Sequence, residues 1–520
     1  MPPPGRALAA LLLVLGSSAL ASEPDLPDLP DLIGPHAREA ALHAGEPDAV
    51  SDFGDSPTTE AALAQGPATP QLSRRVYGYL PYWSTLGKSF RWDLVSDLVV
   101  FSADLKSDGT VSAWHGWPNT ALIAAAHAHG VRVHLCATLF NTGAGEIATF
   151  LDSAAARQMA VSSLVAAVAN AGGDGLNFDF EFVGSSHRGA FTNFVQQTHA
   201  ALQAAAPGAE LTLAMPANTS STGYDAAALS AATERLLMME YDYHWSTAPT
   251  AGPVAQLTSG GFWSGSVESG VGSFLAVAKA SSLAMGVPYY GYDWPTQSSA
   301  RGAKVVLGSS GTPTRGTVVL ASGCPGALAA HGRSWDLDSQ TPWASYSSSG
   351  VERQVWCDDA QSLTSKYQFV NQKNLAGVMI WALGYDGAST GFWGAIQAEF
   401  GAAAGAPDGG ISDAGVPDAG PGDAGAAADA GSGDAGSADD DGGATDAGPG
   451  DAGSRDAGAG GSADGGSADG GKPSSGAPDA GPALTQSPAV GCTQAGVGPA
   501  WTLLAAVLFA ARRRKVWHRR

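Results

Sequence analysis

Eight apolar runs follow one another between residues 76 and 386, and segments with a helical pattern separate them. Several runs are rich in β-branched and aromatic residues, as buried parallel strands are. The helical segments 121–130, 157–173 and 188–208 each end in Gly, a common helix terminus. Strands that alternate with helices over residues 74–400 predict an α/β fold, a (β/α)8 TIM barrel. The eight runs are VYGYLPYW (76–83), LVSDLVVFSADL (94–105), VRVHLCATLF (131–140), GLNFDFEF (175–182), ELTLAMPA (210–217), RLLMMEYDY (235–243), LAMGVPYYGYDW (283–294) and GVMIWALGYD (377–386).

The connection between the seventh and eighth runs is too long for a simple loop. Residues 295–358 contain short strand-like pieces, so they predict a small β-rich insertion beside the barrel mouth. Cys324 and Cys357 both fall in this region and could form a disulfide in an oxidising compartment. Cys136 lies in an apolar run and is expected to be a buried free thiol.

The two flanks of the barrel differ from it in composition. Residues 1–21 carry one positive charge, an apolar stretch and a small-residue cleavage site, which is the pattern of a signal peptide. Residues 22–73 are rich in Pro, Ala and acidic residues without a sustained apolar period, and we interpret them as a linker or a weakly ordered pro-segment.

The C-terminal flank is more extreme. Residues 401–490 repeat Asp, Ala and Gly and carry much of the formal net charge of −21, so they predict a solvated spacer. Residues 491–520 then contain Cys492, an apolar run at 495–511 and an Arg-rich end. This arrangement resembles the C-terminal sorting tails of myxobacterial surface proteins, and the alternative is a plain membrane anchor. Both place the barrel outside the cytoplasm, at the cell surface or released from it.

The fourth run and the residue before it read DGLNFDFEF (174–182) and contain four polar residues in an apolar context. Side chains alternate in direction along a strand, so the leucine and phenylalanines at 176, 178, 180 and 182 should face the helices. Asn177, Asp179 and Glu181 should then face into the barrel.

Glu181 is the last of these inward residues, at the end of the strand where barrel enzymes keep their active sites. Buried carboxylates are costly unless they are paired or used. The two interpretations are a catalytic acid supported by a neighbouring carboxylate, and a set of polar side chains bonded to one another inside the barrel.

Three of the runs resemble motifs of glycoside hydrolase family 18, the chitinase family. DGLNFDFE resembles its DGxDxDxE signature, with Asn177 where Asp is usual, and MMEYD (238–242) resembles the Met-x-Tyr-Asp of its sixth strand. Trp381 resembles the tryptophan that ends its eighth strand. GVPYYGYDW (286–294) and QVWCDDAQSL (354–363) are similar to the chitobiase and spore-cortex-lytic N-acetylglucosaminidase branch, where Asn in the signature is also found.

The resemblance implies a role for each matching residue. Glu181 would be the general acid and then the base for water, while Asp179 would hold the acetamido N–H of the substrate. Tyr241 would donate its hydroxyl to the acetamido oxygen, which is the nucleophile in this family. Asp174 would support the start of the strand from outside the site. The residues expected to bind substrate are Asn177, Asp242, Trp381, Met215 and Tyr290.

Each binding residue also has a structural alternative. Tyr241 and Trp381 could be core aromatics, and Asp242 could cap a helix. Met215 and Tyr290 could equally line the core. The histidines at 127, 129 and 134 are expected on a helix and a strand rather than around a metal.

The resemblance therefore implies retaining, substrate-assisted hydrolysis of β-1,4 bonds at N-acetylglucosamine in chitin, chito-oligosaccharides or peptidoglycan. The alternative is a non-catalytic carbohydrate-binding protein on the same fold, although such lectins typically lack the acid found here as Glu181. We expect no cofactor, no metal, no nucleic-acid partner, a monomer, and membrane contact only through the C-terminal tail.

Overall fold

The computed structural model describes residues 34–49, 51, 71–141, 145–220, 222–387 and 389–401. The expected signal peptide, nearly all of the spacer and the C-terminal tail lie outside these residues. Within the described part of the chain, no helix is both long and apolar enough to span a bilayer.

Eight parallel strands close into a barrel, which confirms the predicted fold. Their order is β1-β14-β8-β7-β6-β5-β4-β2, and β1 pairs with β2 to close the ring. The short strand β3 (Val111–Ala113) extends β2 in the antiparallel sense. The barrel strands are β1 (Arg75–Pro81), β2 (Asp97–Leu105), β4 (Arg132–Phe140), β5 (Gly175–Glu181), β6 (Glu210–Pro216), β7 (Arg235–Met239), β8 (Leu283–Pro288) and β14 (Gly377–Trp381).

Helices follow most barrel strands, and their ends carry the expected capping residues. Ser153 accepts a hydrogen bond from the Ala156 amide at the start of one helix, and Gly172 ends that helix with φ of 68°. Asp359 forms a capping box with Ser362 at the start of another. The helices are α1 (Pro35–Leu42), α2 (Thr120–Ala128), α3 (Glu146–Asp152), α4 (Ala154–Ala171), α5 (Arg188–Ala205), α6 (Ala226–Ala231), α7 (Val267–Leu275), α8 (Cys324–Ala330), α9 (Ala360–Gln372) and α10 (Thr390–Phe400).

The predicted β-rich insertion is present between barrel strands β8 and β14. It is a second, antiparallel sheet with the order β10-β9-β13-β12-β11. A disulfide joins Cys324 to Cys357, and Cys136 is a buried free thiol, so both cysteine predictions are confirmed. The strands of this sheet are β9 (Tyr290–Thr296), β10 (Thr317–Leu320), β11 (Ser334–Asp336), β12 (Thr341–Ser348) and β13 (Val351–Cys357).

A cluster of charged side chains closes the N-terminal end of the barrel. We call it the floor cluster: Asp97, His134, Glu210, Arg75 and Arg132. Arg75 Nε donates to Asp97 at 2.8 Å, and His134 Nε2 lies 2.9 Å from the same carboxylate. Arg132 pairs with both Asp97 and Glu210. The inward carboxylates at this end of the barrel are therefore neutralised by cations.

Helix α1 lies in the opposite end, the barrel mouth, where the strands have their C-terminal ends. Its residues belong to the stretch that the composition predicts to be a linker. Pro35 takes the first helical position, where its missing N–H costs nothing. Residues 34–49, which we call the N-terminal segment, therefore include ordered structure that packs against the barrel.

Candidate active site

Strand β5 divides its side chains between the helices and the barrel interior. Phe178 and Phe180 pack on the helix side against Phe194, with ring centroids 4.8 and 5.8 Å apart. Phe182 departs from the predicted alternation, because it lies beyond the strand end with φ of 65° and is 46% exposed. The positive φ turns the chain away from the strand direction.

The inward residues of β5 occupy three levels. Asn177 is fully buried at the lowest level, where it accepts from Tyr79 Oη at 2.9 Å and donates to Thr212 Oγ1 at 2.8 Å. Asp179 and Glu181 follow toward the mouth and are also buried. The amide group of Asn177 is engaged by these hydrogen bonds, and direct substrate binding by Asn177 stays a prediction.

Asp179 and Glu181 both contact the N-terminal segment. Asp179 Oδ2 lies 2.7 Å from His36 Nδ1. Glu181 accepts hydrogen bonds from two backbone amides in the first turn of α1, His36 at 3.2 Å and Ala37 at 2.9 Å. The N-terminal amides of a helix bind anions in this manner.

Tyr241 and Asp242 follow strand β7 and face the same cleft. Tyr241 Oη lies 2.6 Å from His36 Nε2, on the other side of the imidazole from Asp179. Asp242 has φ of 57°, accepts from Tyr290 Oη at 2.6 Å and forms an ion pair with Arg38. The strand ends at Met239, where the Glu240 amide turns back to the Met238 carbonyl, so the predicted run 235–243 is strand only in its first five residues.

Trp381, at the end of β14, forms the wall on which His36 packs. The two rings stack with centroids 3.7 Å apart and an interplanar angle of 23°. Phe101 and Tyr79 pack around the indole at 5.0 and 5.7 Å. A flat apolar surface of this kind suits either a planar ring or the face of a sugar.

Met215 and Asp174 lie outside the contacts that His36 makes. Met215 is fully buried on β6, so its contact with a substrate stays a prediction. Asp174 accepts from the Val133 amide at 2.8 Å and lies 2.7 Å from His127 Nε2. These contacts link the start of β5 to β4 and to the helix that carries His127.

Burial controls the protonation of the mouth residues. Burial and, to a smaller extent, the nearby Asp179 together raise the pKa of Glu181 to about 8, against the lowering effect of His36 and the backbone N–H donors. Burial likewise raises the pKa of Asp179, and it lowers the pKa of His36 to about 4 against the opposing effect of Glu181. The imidazole is thus neutral at neutral pH, and a proton on Nδ1 lets it donate to Asp179 while accepting from Tyr241.

Two groups of side chains have the proximity that a metal site needs. His36, Asp179 and Glu181 form the first, and the floor residues Asp97, His134 and Glu210 form the second. Backbone N–H groups donate to both oxygens of Glu181, and their positive ends would repel a cation bound to that carboxylate. Guanidinium groups already neutralise the floor acids. The donor sets therefore give no support to a metal ion at either place.

A cavity of about 240 Å³ lies beside Glu181. Its walls come both from the barrel and from the N-terminal segment, which contributes Gly34, Pro35 and Arg38. The barrel residues that line it are Glu181, Phe182, Pro216, Ala217, Tyr224, Met239, Tyr241, Asp242 and Trp245. Part of the cleft thus remains open next to the proposed acid.

Sequence reasoning missed the contribution of the N-terminal segment. His36, Arg38 and Glu39 reach the cleft, where Glu39 accepts from the Tyr385 hydroxyl. The available signal was local: PHAREAAL has Pro at the first helical position and an Ala-rich composition with few helix breakers. Its contact partners lie far away in the sequence and gave no signal.

Comparisons with known proteins show similarity to several glycan-cleaving enzymes. Mouse di-N-acetylchitobiase is 25% identical over 359 residues, which cover 63% of this chain and 86% of that protein. The cortical fragment-lytic enzyme of Bacillus subtilis (strain 168) is 25% identical over 224 residues, 40% of this chain and 46% of that protein. The structure of a group IV chitinase from Ostrinia furnacalis aligns with a TM-score of 0.55 at 18% identity, over 63% of this chain and 99% of that one.

The sequence profile of "Glycosyl hydrolases family 18" matches residues 75–386, which include the whole barrel with its insertion. The same residues carry the acid-bearing strand, the tyrosine after β7 and the tryptophan that ends β14. This chain belongs to glycosyl hydrolase family 18.

Proposed function

We propose that the chain hydrolyses β-1,4 glycosidic bonds at N-acetylglucosamine, with retention of configuration and with the substrate's own acetamido group as nucleophile. The substrate class is chitin, chito-oligosaccharides or peptidoglycan. The position of Glu181 carries this proposal: it is a carboxyl at the barrel mouth, its pKa is raised by burial, and it lies beside an open cavity.

In the first step Glu181 gives its proton to the glycosidic oxygen as the bond from that oxygen to C1 breaks. The acetamido oxygen bonds to C1 from the opposite face and forms an oxazolinium ion. Asp179 accepts the N–H of this ion and stabilises its positive charge, and Tyr241 Oη orients the acetamido oxygen. The distances of both groups to His36, 2.7 and 2.6 Å, indicate how closely they can hold a small polar ring.

In the second step Glu181, now ionised, takes a proton from water. The hydroxide equivalent attacks C1, the bond between C1 and the acetamido oxygen breaks, and the acetamide is restored. Two displacements at C1 leave its configuration unchanged. Glu181 ends the cycle protonated, so no cofactor is required.

Trp381 and Asp242 would position the sugar. The indole face of Trp381 gives an apolar floor, and Asp242, held by Tyr290, offers a carboxylate at the rim. Polar groups at the edge of an apolar surface are the usual arrangement of a sugar-binding cleft.

The test is product analysis with the full chain carrying His36→Ala and Arg38→Ala, because these two side chains occupy the cleft. Oligomers of N-acetylglucosamine, deacetylated oligomers, glucose oligomers and peptidoglycan are compared as substrates. We expect cleavage of acetylated substrates alone, with a β-configured product. Equal cleavage of deacetylated oligomers would overturn the mechanism, and binding without cleavage would favour the lectin alternative.

We also propose that the protein is exported and acts at the cell surface or outside the cell. The pattern of residues 1–21 and the disulfide between Cys324 and Cys357 support this location. Surface protease treatment of intact cells, followed by detection of the barrel in the medium and membrane fractions, tests it. Protection of the barrel inside intact cells would contradict the proposal.

A further inference from the structure

Helix α1 fills the place in the mouth where a substrate must bind. His36 is fully buried, and its contacts are with Asp179, Tyr241 and Trp381. These are the three residues to which the proposed function assigns the acetamido group and the sugar face. A glycan and the His36 side chain therefore cannot occupy the cleft together.

We propose that residues 34–49 are an autoinhibitory segment, in which the His36 imidazole takes the place of the substrate's acetamido group and holds the enzyme closed to glycans. This inference rests on the proposed function, since it uses the same three contacts. Displacement of the segment is then the step that activates the enzyme.

The imidazole resembles the reacting group in shape and polarity. It is a flat five-membered ring with two polar atoms, like the oxazolinium ring of the proposed intermediate. One nitrogen lies 2.7 Å from Asp179 and the other 2.6 Å from Tyr241 Oη, while the ring stacks on Trp381. The enzyme groups thus find in His36 the donor, the acceptor and the apolar face that they would find in the substrate.

The first turn of α1 also disables the proposed acid. The amides of His36 and Ala37 donate to the two oxygens of Glu181, so the carboxyl is held by backbone groups. Gly34 packs so tightly there that a Cβ at this position would overlap the Glu181 carboxylate. Glycine at position 34 therefore lets the backbone approach Glu181 without displacing that carboxyl.

Further contacts fix the segment along the cleft. Arg38 forms an ion pair with Asp242, which is only 7% exposed. The ring of His43 stacks on Trp83 with centroids 4.4 Å apart. The Ala49 amide donates to the carbonyl of Tyr82 at 2.7 Å. These anchors extend from the first turn of the helix to the end of the segment, so docking does not depend on one side chain.

Covalent linkage makes this inhibition effective even if the contacts are individually weak. A tethered ligand competes at an effective concentration on the order of millimolar. To displace the segment, a soluble oligosaccharide must be present at about that concentration if it binds as tightly as the segment does, and at a lower concentration if it binds more tightly.

The experiment compares four full-length proteins: wild type, the double variant His36→Ala/Arg38→Ala, the variant Gly34→Val, and the control Glu46→Gln. Glu46 is in the same segment, but its side chain is 51% exposed and pairs with His43 at 3.1 Å, a contact that the polar glutamine side chain can keep. Gly34→Val is expected to disrupt docking because the new side chain overlaps Glu181, and it leaves His36 itself unsubstituted. Two properties are measured, hydrolysis of a chito-oligosaccharide and its binding by calorimetry, with thermal unfolding as a check on folding.

We expect kcat/KM and oligosaccharide affinity to rise at least tenfold in the double variant and in Gly34→Val, and to stay at the wild-type level in Glu46→Gln. A synthetic peptide of residues 34–49 should inhibit the double variant, and the same peptide with His36→Ala should not. Equal binding and equal activity in wild type and both released variants would overturn autoinhibition and leave the proposed function intact.

The reverse result is also informative. Released variants that bind the oligosaccharide more tightly than wild type but never cleave it would support occlusion by the segment and overturn the proposed hydrolysis. If the double variant unfolds, Gly34→Val decides the question, and the peptide competition is then carried out with Gly34→Val, which keeps every cleft residue of the barrel.

Discussion

The two ends of the barrel hold acidic side chains of the same types in opposite electrostatic states. At the floor, the Asp97 carboxylate is buried, yet His134 and the two arginines hold its pKa well below its usual range. At the mouth, burial raises the pKa of Asp179 and Glu181, and the nearby Arg38 forms its ion pair with Asp242 instead. Burial raises the pKa of all of these carboxyls, and the presence or absence of an ion-paired cation decides whether the net pKa shift is downward or upward.

The difference separates a structural role from a chemical one. A carboxylate that is paired with arginine stays ionised and can neither give nor take a proton near neutral pH. A carboxyl such as that of Glu181, which is buried and forms no ion pair with an arginine, keeps its proton until it meets a basic oxygen. Substitutions at the two ends should therefore change different measurable quantities.

The largest expected effect is at the mouth. Glu181→Gln, made in the full chain that already carries His36→Ala and Arg38→Ala, should lower kcat by about 10²–10⁴-fold because the general acid is lost. Binding of a chito-oligosaccharide should change little. Steady-state kinetics and calorimetry measure both, and substantial remaining turnover would contradict the role of Glu181.

The matching change at the floor should affect stability and not chemistry. Asp97→Asn leaves two arginines without their shared carboxylate, and breaking a buried ion pair typically costs about 3–5 kcal/mol. The folded-state pKa of Asp97 is depressed, so its contribution is present above the unfolded pKa and is lost as the pH falls below it. Denaturant unfolding at pH 7 and pH 3 should therefore show a smaller difference for the variant than for wild type.

Glu240 offers an intermediate case, since it lies near the mouth but outside the cleft. Burial raises its pKa to about 8, and its hydrogen bond comes from Tyr243 Oη at 2.6 Å. A raised folded-state pKa gives stability that is present at low pH and is lost as the pH rises through about 8. Glu240→Gln should keep the hydrogen bond and raise the unfolding free energy at pH 9 by about 1 kcal/mol or more.

Thermal unfolding of wild type and the Glu240→Gln variant between pH 4 and 9 measures this effect, because this range extends from below the ordinary glutamate pKa of 4.5 to above the folded-state pKa of about 8. At pH 4 the two proteins should have similar stability, which serves as the internal control. A variant that matches wild type at pH 4 and is less stable at pH 9 would show that Glu240 is stabilising in its ionised form.

The smallest expected effect concerns the level below Asp179. Asn177→Asp would add a carboxyl beneath Asp179 inside the barrel, and one of the two pKa values should rise by about a unit. The substitution is made in the full chain that carries His36→Ala and Arg38→Ala. It should remain active, and its pH profile of kcat/KM should be shifted relative to that of the same chain with Asn177. An unchanged profile would mean that the side chains at 177 and 179 do not interact.

The strand predictions succeed because a closed parallel barrel buries its strands on both faces, and the apolar runs therefore mark them directly. The run 283–294 was assigned as one strand, but it divides into β8 and β9 at Tyr289. The first half pairs within the barrel and the second half leads into the insertion. Apolar periodicity does not reveal which sheet a strand joins, because both halves are buried.

In the site, too, the sequence pattern predicts some side-chain directions correctly and fails at one residue. Alternation along β5 places Asn177, Asp179 and Glu181 on one side from sequence alone, and the structure puts all three inside the barrel. The exposed Phe182 breaks the alternation because the backbone turns immediately after Glu181. A two-residue period holds only while the chain keeps strand geometry.

The sequence by itself determined the barrel, the insertion and the inward acids of β5, because each follows from patterns that can be read along short stretches of the chain. Only the tertiary structure decided that His36 lies between Asp179 and Tyr241, 143 and 205 residues away in the chain. An isolated helix of eight residues has almost no stability of its own in water. Helix α1 is stabilised by the cleft that it fills, and a cleft assembled from β5, β7 and β14 exists only after the barrel has closed.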